Sequence, residues 1–221
     1  MSQDITLAQF RRWLSLFAEQ VQEQVDLLTE LDAAIGDADH GANMQRGMRK
    51  VQERLQDPTA TGGDIGSLFR SIAMTLISTV GGAAGPLFGA FFLRAAKDVD
   101  GTDAVSLEQL AAMFRSGLEG VQQRGKAQIE EKTMIDALQP AVEALEAAVA
   151  EGLDAAAALD RALEAARRGM LHTAELQASK GRASYLGPRS IGHQDPGATS
   201  AFYLIQSAAA ALGRQAQTEE S

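Results

Sequence analysis

Apolar residues recur every three or four positions near the start of the chain, a spacing that places them along one face of an α-helix. The members of this stripe are Leu7, Phe10, Leu14, Phe17, Val21 and Leu28. They predict a first helix from residue 6 to about residue 31. Aromatic residues make up only 5% of the 221 residues, alanine is abundant, and β-branched runs are scarce. The sequence therefore predicts an all-α protein.

Glycine, proline and capping residues divide the rest of the chain into seven further helices. The predicted ranges are about 42–55, 64–80, 86–97, 106–125, 133–150, 154–177 and 198–212. Asp64, Ser106 and Asp154 are expected N-caps, because their side chains can accept hydrogen bonds from the first N–H groups of a helix. With no convincing strand and no obvious repeat, we expect an eight-helix bundle or barrel. It would form a single domain over 1–213, followed by a polar tail over 214–221.

The stretch 71–93 carries no charged side chain and is long enough to span a bilayer. However, three glycines and Pro86 fall within residues 81–86, in the middle of the stretch. A break of this kind would leave backbone N–H and C=O groups unpaired in lipid. Two buried helices joined by a glycine loop explain the segment better.

The composition restricts the classes of partner and compartment. A net charge of −9 without a basic stripe argues against nucleic acid and anionic membrane as partners. The absence of cysteine excludes disulfides and thiolate metal sites. The N-terminus lacks the basic and apolar regions of a signal peptide, so we expect a soluble cytoplasmic protein.

Three carboxylates lie within eight residues at Asp32, Asp37 and Asp39, among glycines. Oxygen ligands at this spacing suit a hard divalent cation, and the charge of Asp32 at a helix C-terminus is unfavourable unless a cation compensates it. The alternative is a solvated capping loop in which Asp39 caps the next helix. A calcium EF-hand fits poorly, because Met48 stands where that loop requires a glutamate. We favour a Mg²⁺ site.

Two further glycine-containing segments suit a phosphate or nucleotide. The loop 192–197 ends where a helix can begin, and a helix N-terminus attracts anions. The small residues at 81–85 could admit an adenine or ribose, or could merely allow tight helix packing. Neither the P-loop nor the dinucleotide-binding motif occurs. Together with the carboxylates, these loops predict a magnesium–nucleotide site.

The long connection 178–197 carries most of the remaining charged candidates. Arg182 could neutralise phosphate charge, whereas Lys180 and Arg189 are interpreted as solvated surface. His193 and, in the first loop, His40 are functional candidates, while His172 is expected to be structural or exposed. No nucleophile–base pair is apparent, so we predict no catalytic side chain and expect the nucleotide itself to accept any phosphoryl group.

Several motifs resemble, in order and over essentially the whole chain, the nucleotide-binding L subunits of bacterial dihydroxyacetone kinases. They are Ile-Gly-Asp-Ala-Asp-His-Gly from residue 35 with Asn43 and Met44, Val-Gly-Gly-Ala from 80, Gly-Pro-Leu-Phe-Gly from 85, Arg-Gly-Lys-Ala from 124, Lys-Thr-Met from 132, Lys-Gly-Arg-Ala-Ser-Tyr-Leu-Gly from 180 and Ser-Ile-Gly-His-Gln-Asp-Pro-Gly-Ala-Thr-Ser from 190. The last motif is the longest and the most specific.

The resemblance implies eight antiparallel helices in a barrel, with ADP and two Mg²⁺ ions at one mouth. It assigns Asp32, Asp37 and Asp39 to the metals. It assigns nucleotide contacts to His40, Gly41, Ala42, Asn43, Ala83, Ala84, Gly125, Met134, Arg182, Asp195, Pro196 and Gly197. In phosphotransferase-system-dependent members, tightly bound ADP is phosphorylated by an M subunit, and the resulting ATP phosphorylates dihydroxyacetone on a K subunit. The resemblance thus implies a phosphoenolpyruvate–glycerone phosphotransferase subunit, for which a homodimer is one option.

The chain departs from the family pattern at two places. The family commonly has serine at Ala84, so a hydroxyl contact to phosphate would be missing. It also commonly has Gly-Asp at Glu130-Glu131, where Glu131 keeps the charge with a longer reach. Two alternatives stay open: an L subunit that uses exchangeable ATP, and a non-catalytic nucleotide- or metal-sensing module that regulates a partner.

Overall fold

Helices form nearly all the regular structure of the residues described by the computed structural model, 4–213. The α-helices are α1 (Leu7–Glu23), α2 (Val25–Ile35), α3 (His40–Leu55), α4 (Pro58–Thr61), α5 (Ile65–Thr79), α6 (Ala84–Ala95), α7 (Leu107–Gly125), α8 (Ile135–Ala150), α9 (Ala155–His172) and α10 (Pro196–Leu212). Short 3₁₀ segments cover Ala96–Val99 and Arg182–Ser190. The all-α prediction is confirmed, and the predicted polar tail lies outside the described residues.

The long helices pack in a cyclic order. Contacts run from α1 through α3, α5, α6, α7, α8, α9 and α10 and return to α1, and α10 also contacts α8 and α2. This order is the one that a barrel requires, although the barrel arrangement itself stays a prediction. Because the ends of neighbouring helices lie side by side, the loops at one end can contribute to a common site.

The capping residues predicted for three helices occupy the N-cap positions. Asp64 accepts a hydrogen bond from Ser67 N, and Asp154 accepts one from Ala157 N. Ser106 forms a capping box with Gln109. These local contacts satisfy N–H groups that have no partner within the helix, which explains why these helix starts were predictable.

Several predicted features differ from the structure, which has ten α-helices in residues 4–213 where eight were predicted, because the first predicted helix is divided in two and the four-residue α4 was not predicted. The first predicted helix breaks at Gln24, whose φ of −108° and ψ of 18° separate α1 from α2. The predicted helix 154–177 ends early, at His172, because the chain then enters a series of turns. A two-residue antiparallel pair was also not predicted: β1 (Ile5–Thr6) pairs with β2 (Ala104–Val105).

The aromatic core lies around Trp13 of α1. The Trp13 ring stacks on Phe114 with centroids 5.4 Å apart and meets Phe69 and Phe92 at wider angles. Its indole N–H donates to Leu204 O over 2.9 Å, so the buried polar group is satisfied. These contacts tie α1 to α5, α6, α7 and α10 and give the loops a rigid support.

The uncharged stretch 71–93 folds as the sequence predicts. It contributes the C-terminal part of α5 and most of α6, and the glycine loop lies between them. Among the described residues, no helix has the length and hydropathy needed to cross a membrane.

Gly169 of α9 provides a test of the packing between α8 and α9. A Cβ at Gly169 would lie 1.9 Å from Asp136 O, so the G169A substitution must push the two helices apart. We expect it to lower the free energy of unfolding by about 1–3 kcal/mol, the usual cost of overpacking. Urea unfolding checks this. G63A is the matched control, since a Cβ at Gly63 has no neighbour within 4 Å. Equal stabilities of G169A and the wild type would contradict the packing.

Candidate functional site

The three carboxylates predicted to bind metal converge in the structure. Asp32 lies in the last turn of α2, and Asp37 and Asp39 lie in the loop that leads to α3. One oxygen of each carboxylate lies within 4.8 Å of the others. Gly36 is required beside them, because a Cβ there would lie 2.1 Å from Asp32 Oδ1. An all-oxygen donor set at this separation fits a hard divalent cation such as Mg²⁺.

The N-terminus of α3 is not capped in the way that the alternative of a solvated capping loop predicts. Asp32 Oδ2 accepts hydrogen bonds from Asp39 N at 2.8 Å and His40 N at 3.1 Å. The Asp39 side chain makes no cap hydrogen bond. The alternative in which Asp39 caps α3 is therefore wrong: Asp32 performs this role from the preceding helix. It couples the carboxylate cluster to the N-terminus of α3.

An arginine from the long connection reaches the same cluster. Arg182 begins the second 3₁₀ segment, and its Nη2 lies 2.9 Å from Asp37 Oδ2. The Arg182 side chain is 68% exposed, so the ion pair contributes little to stability. Its significance is positional, because it places a guanidinium next to the carboxylates.

A cavity of about 860 Å³ opens beside the carboxylates, a volume suited to a nucleotide. Most of the predicted site residues line it, although they come from distant parts of the sequence. These residues are Asp32, Asp37, Asp39, His40, Asn43, Ala83, Ala84, Gly125, Met134, Arg182, Asp195, Pro196 and Gly197. Gly41 and Ala42 are not among the lining residues. Gly41 packs against α2, where a Cβ would lie 2.3 Å from Val25 O, and Ala42 is exposed.

The glycine loop before α6 combines packing with close approach to the cavity. Gly81 leaves room for Asn43, whose Oδ1 would lie 2.5 Å from an added Cβ. Arg46 donates to Asn43 Oδ1 at 2.7 Å and to Thr79 O at 2.8 Å. The Asn43 oxygen is thereby engaged, and its amide nitrogen is the group that can donate to a ligand. α6 has no side-chain cap, so its first N–H groups are also available to an anion.

His40 links the start of α3 to α10. Its Nε2 lies 2.5 Å from Ser200 Oγ, and the Ser200 hydroxyl donates to Pro196 O. Nε2 is therefore assigned as the donor. Burial lowers the pKa of the His40 imidazole, although Asp32 and Asp39 oppose the shift. Its buried position therefore favours the neutral form of the imidazole.

The other two histidines lie outside the cavity wall. The side chain of His193 is exposed and is not among the lining residues, which does not support the prediction that it is functional. His172 is exposed at the end of α9 with Nδ1 3.3 Å from Glu175 Oε2, as expected for a structural or surface residue.

Asp195 is the N-cap of α10 and is buried at the cavity. Its Oδ2 accepts from Ala198 N at 2.6 Å, and its own N–H donates to Thr173 Oγ1. Burial raises the pKa of Asp195 to about 7, and the nearby Asp136 carboxylate adds to the shift while Lys132 opposes it. In the ligand-free protein this carboxyl binds a proton over a range in which an unfolded aspartate is ionised.

We expect Asp195 to make the ligand-free protein less stable as the pH rises from about 4 to 7. Over this range the folded state holds a proton that the unfolded state has lost, so the free energy of unfolding falls by a few kcal/mol, at about 1.4 kcal/mol per pKa unit. D195N keeps an oxygen that can accept from Ala198 N and removes the titration. Urea unfolding in EDTA at several pH values should give a flatter curve for D195N. Parallel curves would contradict the buried, protonated carboxyl.

The loop that joins α7 to α8 contains the second departure from the family pattern. Glu130 has a φ of +67°, a left-handed conformation that glycine adopts without strain, which explains the glycine common in the family. Glu131 Oε2 accepts from Gln128 N at 2.8 Å, and Glu131 Oε1 lies 3.9 Å from Lys180 Nζ. The Glu131 side chain thus forms a hydrogen bond within the loop that joins α7 to α8.

Sequence reasoning missed Lys132, which lines the cavity next to Met134. It belongs to the Lys-Thr-Met motif, and that motif was the signal that could have identified it. Thr133, Lys180 and Tyr185 also line the cavity without having been predicted to do so.

The fold and site define an all-α protein with a carboxylate cluster beside a nucleotide-sized cavity at the helix ends. The DAK2 domain family model matches residues 34–210, and the chain belongs to this family. It is similar to "PEP-dependent dihydroxyacetone kinase, ADP-binding subunit DhaL" of Escherichia coli (strain K12), with 46% identity over 202 residues, 91% of this chain and 95% of the relative.

Two further comparisons agree with this family. "PTS-dependent dihydroxyacetone kinase, ADP-binding subunit DhaL" of Lactococcus lactis subsp. lactis (strain IL1403) is 43% identical over 194 residues, 88% of this chain and 92% of the relative. The crystal structure of the dihydroxyacetone kinase from C. freundii in complex with AMP-PNP and Mg²⁺ matches with a TM-score of 0.68 and 26% identity. The match covers 95% of this chain and 35% of that kinase, so the chain spans about a third of its length.

Proposed function

We propose that the chain is the ADP-binding subunit of a phosphotransferase-system-dependent dihydroxyacetone kinase and acts in the cytoplasm with K and M subunits. The observation that carries this proposal is the Asp32–Asp37–Asp39 cluster beside a cavity of about 860 Å³. The names of the relatives and the AMP-PNP and Mg²⁺ in the C. freundii kinase support the same function.

The carboxylates of Asp32, Asp37 and Asp39 would hold the metal, which we propose to be two Mg²⁺ ions. Bound Mg²⁺ neutralises charge on the phosphates and on the phosphoryl group in transit. Asp32 also caps α3 through Asp39 N and His40 N, so it fixes the cluster relative to the start of that helix. The protein's role is to hold the ligands in a rigid arrangement before the metal binds.

The nucleotide would lie in the cavity with its phosphates towards the carboxylates. Asn43 offers an amide nitrogen, and the uncapped start of α6 at Ala83 and Ala84 offers N–H groups. Arg182, which lies 2.9 Å from Asp37, would donate to the phosphates, while the apolar Met134 and the glycine backbone at Gly125 suit the base. His40 and Asp195 to Gly197 complete the proposed contacts, and Gly41 and Ala42 are left out because they do not line the cavity.

No side chain of this chain is assigned a covalent role. When bound, the nucleotide would supply the carrier chemistry: a phosphoryl group would pass from a phosphohistidine of the M subunit to ADP and then from ATP to a hydroxyl of dihydroxyacetone on the K subunit, with dihydroxyacetone phosphate, ADP and a proton as products. Pre-positioned cationic and N–H groups around the phosphates are sufficient for catalysis of this kind.

The proposal is tested by purifying the chain in Mg²⁺, denaturing it in acid and measuring adenine nucleotide in the supernatant. We expect about one nucleotide per chain if ADP binds tightly enough to remain on the protein as a prosthetic group. Prior dialysis against EDTA should release it. No recoverable nucleotide would overturn the tightly bound form, and turnover with excess ATP and the K subunit alone would favour an exchangeable-ATP kinase.

A further inference from the structure

Lys132 is a buried cation whose three donors are all engaged. The residue is only 1% exposed, yet it lies at the cavity wall. Its Nζ donates to the backbone oxygens of Thr173, Leu176 and His193. An ammonium group has three N–H donors and no acceptor, so this cage of carbonyls matches it fully. Lys132 consequently has no donor left for a phosphate.

The segments that supply these carbonyls carry or support the proposed nucleotide contacts. His193 lies two residues before Asp195, and Thr173 Oγ1 accepts a hydrogen bond from Asp195 N at 2.9 Å. Lys132 itself lies two residues before Met134. The two walls face one another, because a Cβ at Gly197 would lie 3.8 Å from Met134 N.

Backbone strain and nearby carboxylates also mark this position. Lys132 has a φ of +60°, a left-handed conformation that a non-glycine residue keeps only when its surroundings fix it. Asp136 accepts from Glu130 N and Thr133 N, which holds the loop on both sides of the lysine. Burial lowers the pKa of the Lys132 amine, whereas Asp195 and Asp136 favour its charged form.

We propose that Lys132 is a positioning residue that sets the distance between Met134 and the Asp195–Gly197 turn and thereby shapes the nucleotide site. It acts through these neighbours, since its own donors are used. The proposal rests on the proposed nucleotide-binding function. Without the lysine, the carbonyl oxygens of Leu176 and His193 lose the donor that Lys132 supplies, and the buried Thr173 O keeps only its bond from Leu176 N. The wall can then separate from the start of α10.

The test compares the binding of Mg²⁺-ADP by calorimetry with the binding of Mn²⁺ alone, followed by electron paramagnetic resonance. We expect K132M to weaken ADP binding by about 10- to 100-fold, the usual effect of losing a group that orients a binding residue. Mn²⁺ binding should be unchanged, because the carboxylate cluster lies in α2 and the loop after it. L145A is the control: this core residue of α8 does not line the cavity, and the variant should lose stability but keep its affinity for ADP.

The K132R variant distinguishes a positioning role of Lys132 from a role of its positive charge alone. It also tests the proposal if K132M does not fold. Arginine keeps the positive charge but cannot place three N–H groups on the three carbonyls. Positioning predicts weaker ADP binding by K132R, and wild-type affinity would overturn the proposal.

Because the chain has no cysteine, K132C can be alkylated selectively at pH 8.5 in denaturant and then refolded. 2-Bromoethylamine restores an ammonium at nearly the length of lysine, whereas 1-iodopropane gives a neutral side chain of the same length. We expect only the aminoethyl form to recover ADP affinity. Equal affinities of the two forms would overturn the role of Lys132. Failure of the wild type to bind Mg²⁺-ADP would instead overturn the proposed function.

Discussion

Asp37→Asn is expected to disrupt metal binding and to reduce phosphoryl transfer by a factor on the order of a thousand, the loss of several kcal/mol of charge stabilisation. The substitution removes one negative charge from a cluster whose oxygens lie within 4.8 Å of one another. Asp37 is exposed in a loop, so the fold should persist. Phosphoryl transfer is measured in a system reconstituted with K and M subunits, and metal affinity by titration.

The matched control for Asp37 is Asp26→Asn. Asp26 is an exposed acid in the first turn of α2, and its substitution removes the same charge away from the cluster. We expect D26N to retain both transfer and metal affinity. Unchanged transfer by D37N would refute the assignment of the carboxylates to the metal.

Arg182→Met should affect phosphoryl transfer and binding of the metal alone in opposite directions. The guanidinium, 2.9 Å from Asp37, competes with a cation for that carboxylate in the nucleotide-free protein. With nucleotide bound, we propose that it turns to the phosphates. R182M should therefore slow transfer by about a hundred- to a thousandfold, as for loss of one preorganised donor. Mg²⁺ alone should bind slightly more tightly.

Two further variants sharpen the Arg182 prediction. R182K keeps the charge without the planar fork and should lose less activity than R182M. R189M removes an exposed arginine from the same 3₁₀ segment and should behave like the wild type, since Arg189 does not line the cavity. The assignment fails if R182M transfers phosphoryl groups at the wild-type rate or binds Mg²⁺ more weakly.

Local chemistry explains which helices could be predicted. Asp64, Ser106 and Asp154 cap their helices through contacts that span three residues, so the sequence contains the whole signal. The break at Gln24 has no glycine, proline or capping residue to indicate it. The early end of α9 depends on tertiary contacts, because the carbonyls of Thr173 and Leu176 turn towards Lys132.

The candidate site was predictable where a motif was compact and not where it depended on distant contacts. Asp32, Asp37 and Asp39 lie close in sequence, so their cluster could be inferred directly. Lys132 follows two glutamates and has the appearance of a surface residue. Its burial depends on carbonyls 41, 44 and 61 positions away. The capping of α3 by Asp32 could likewise not be inferred from the sequence, because it depends on the angle at which α2 and α3 meet.

The most direct test of the central claim is transfer from phosphoenolpyruvate to dihydroxyacetone in the presence of an ATP trap. The chain, loaded with Mg²⁺ and ADP and freed of unbound nucleotide, is combined with K and M subunits, the general phosphotransferase proteins, hexokinase and glucose. If the nucleotide held in the cavity is the carrier, dihydroxyacetone phosphate forms at the same rate with and without the trap. If the trap abolishes product formation, or no product forms even in its absence, the account of a bound nucleotide relay is contradicted.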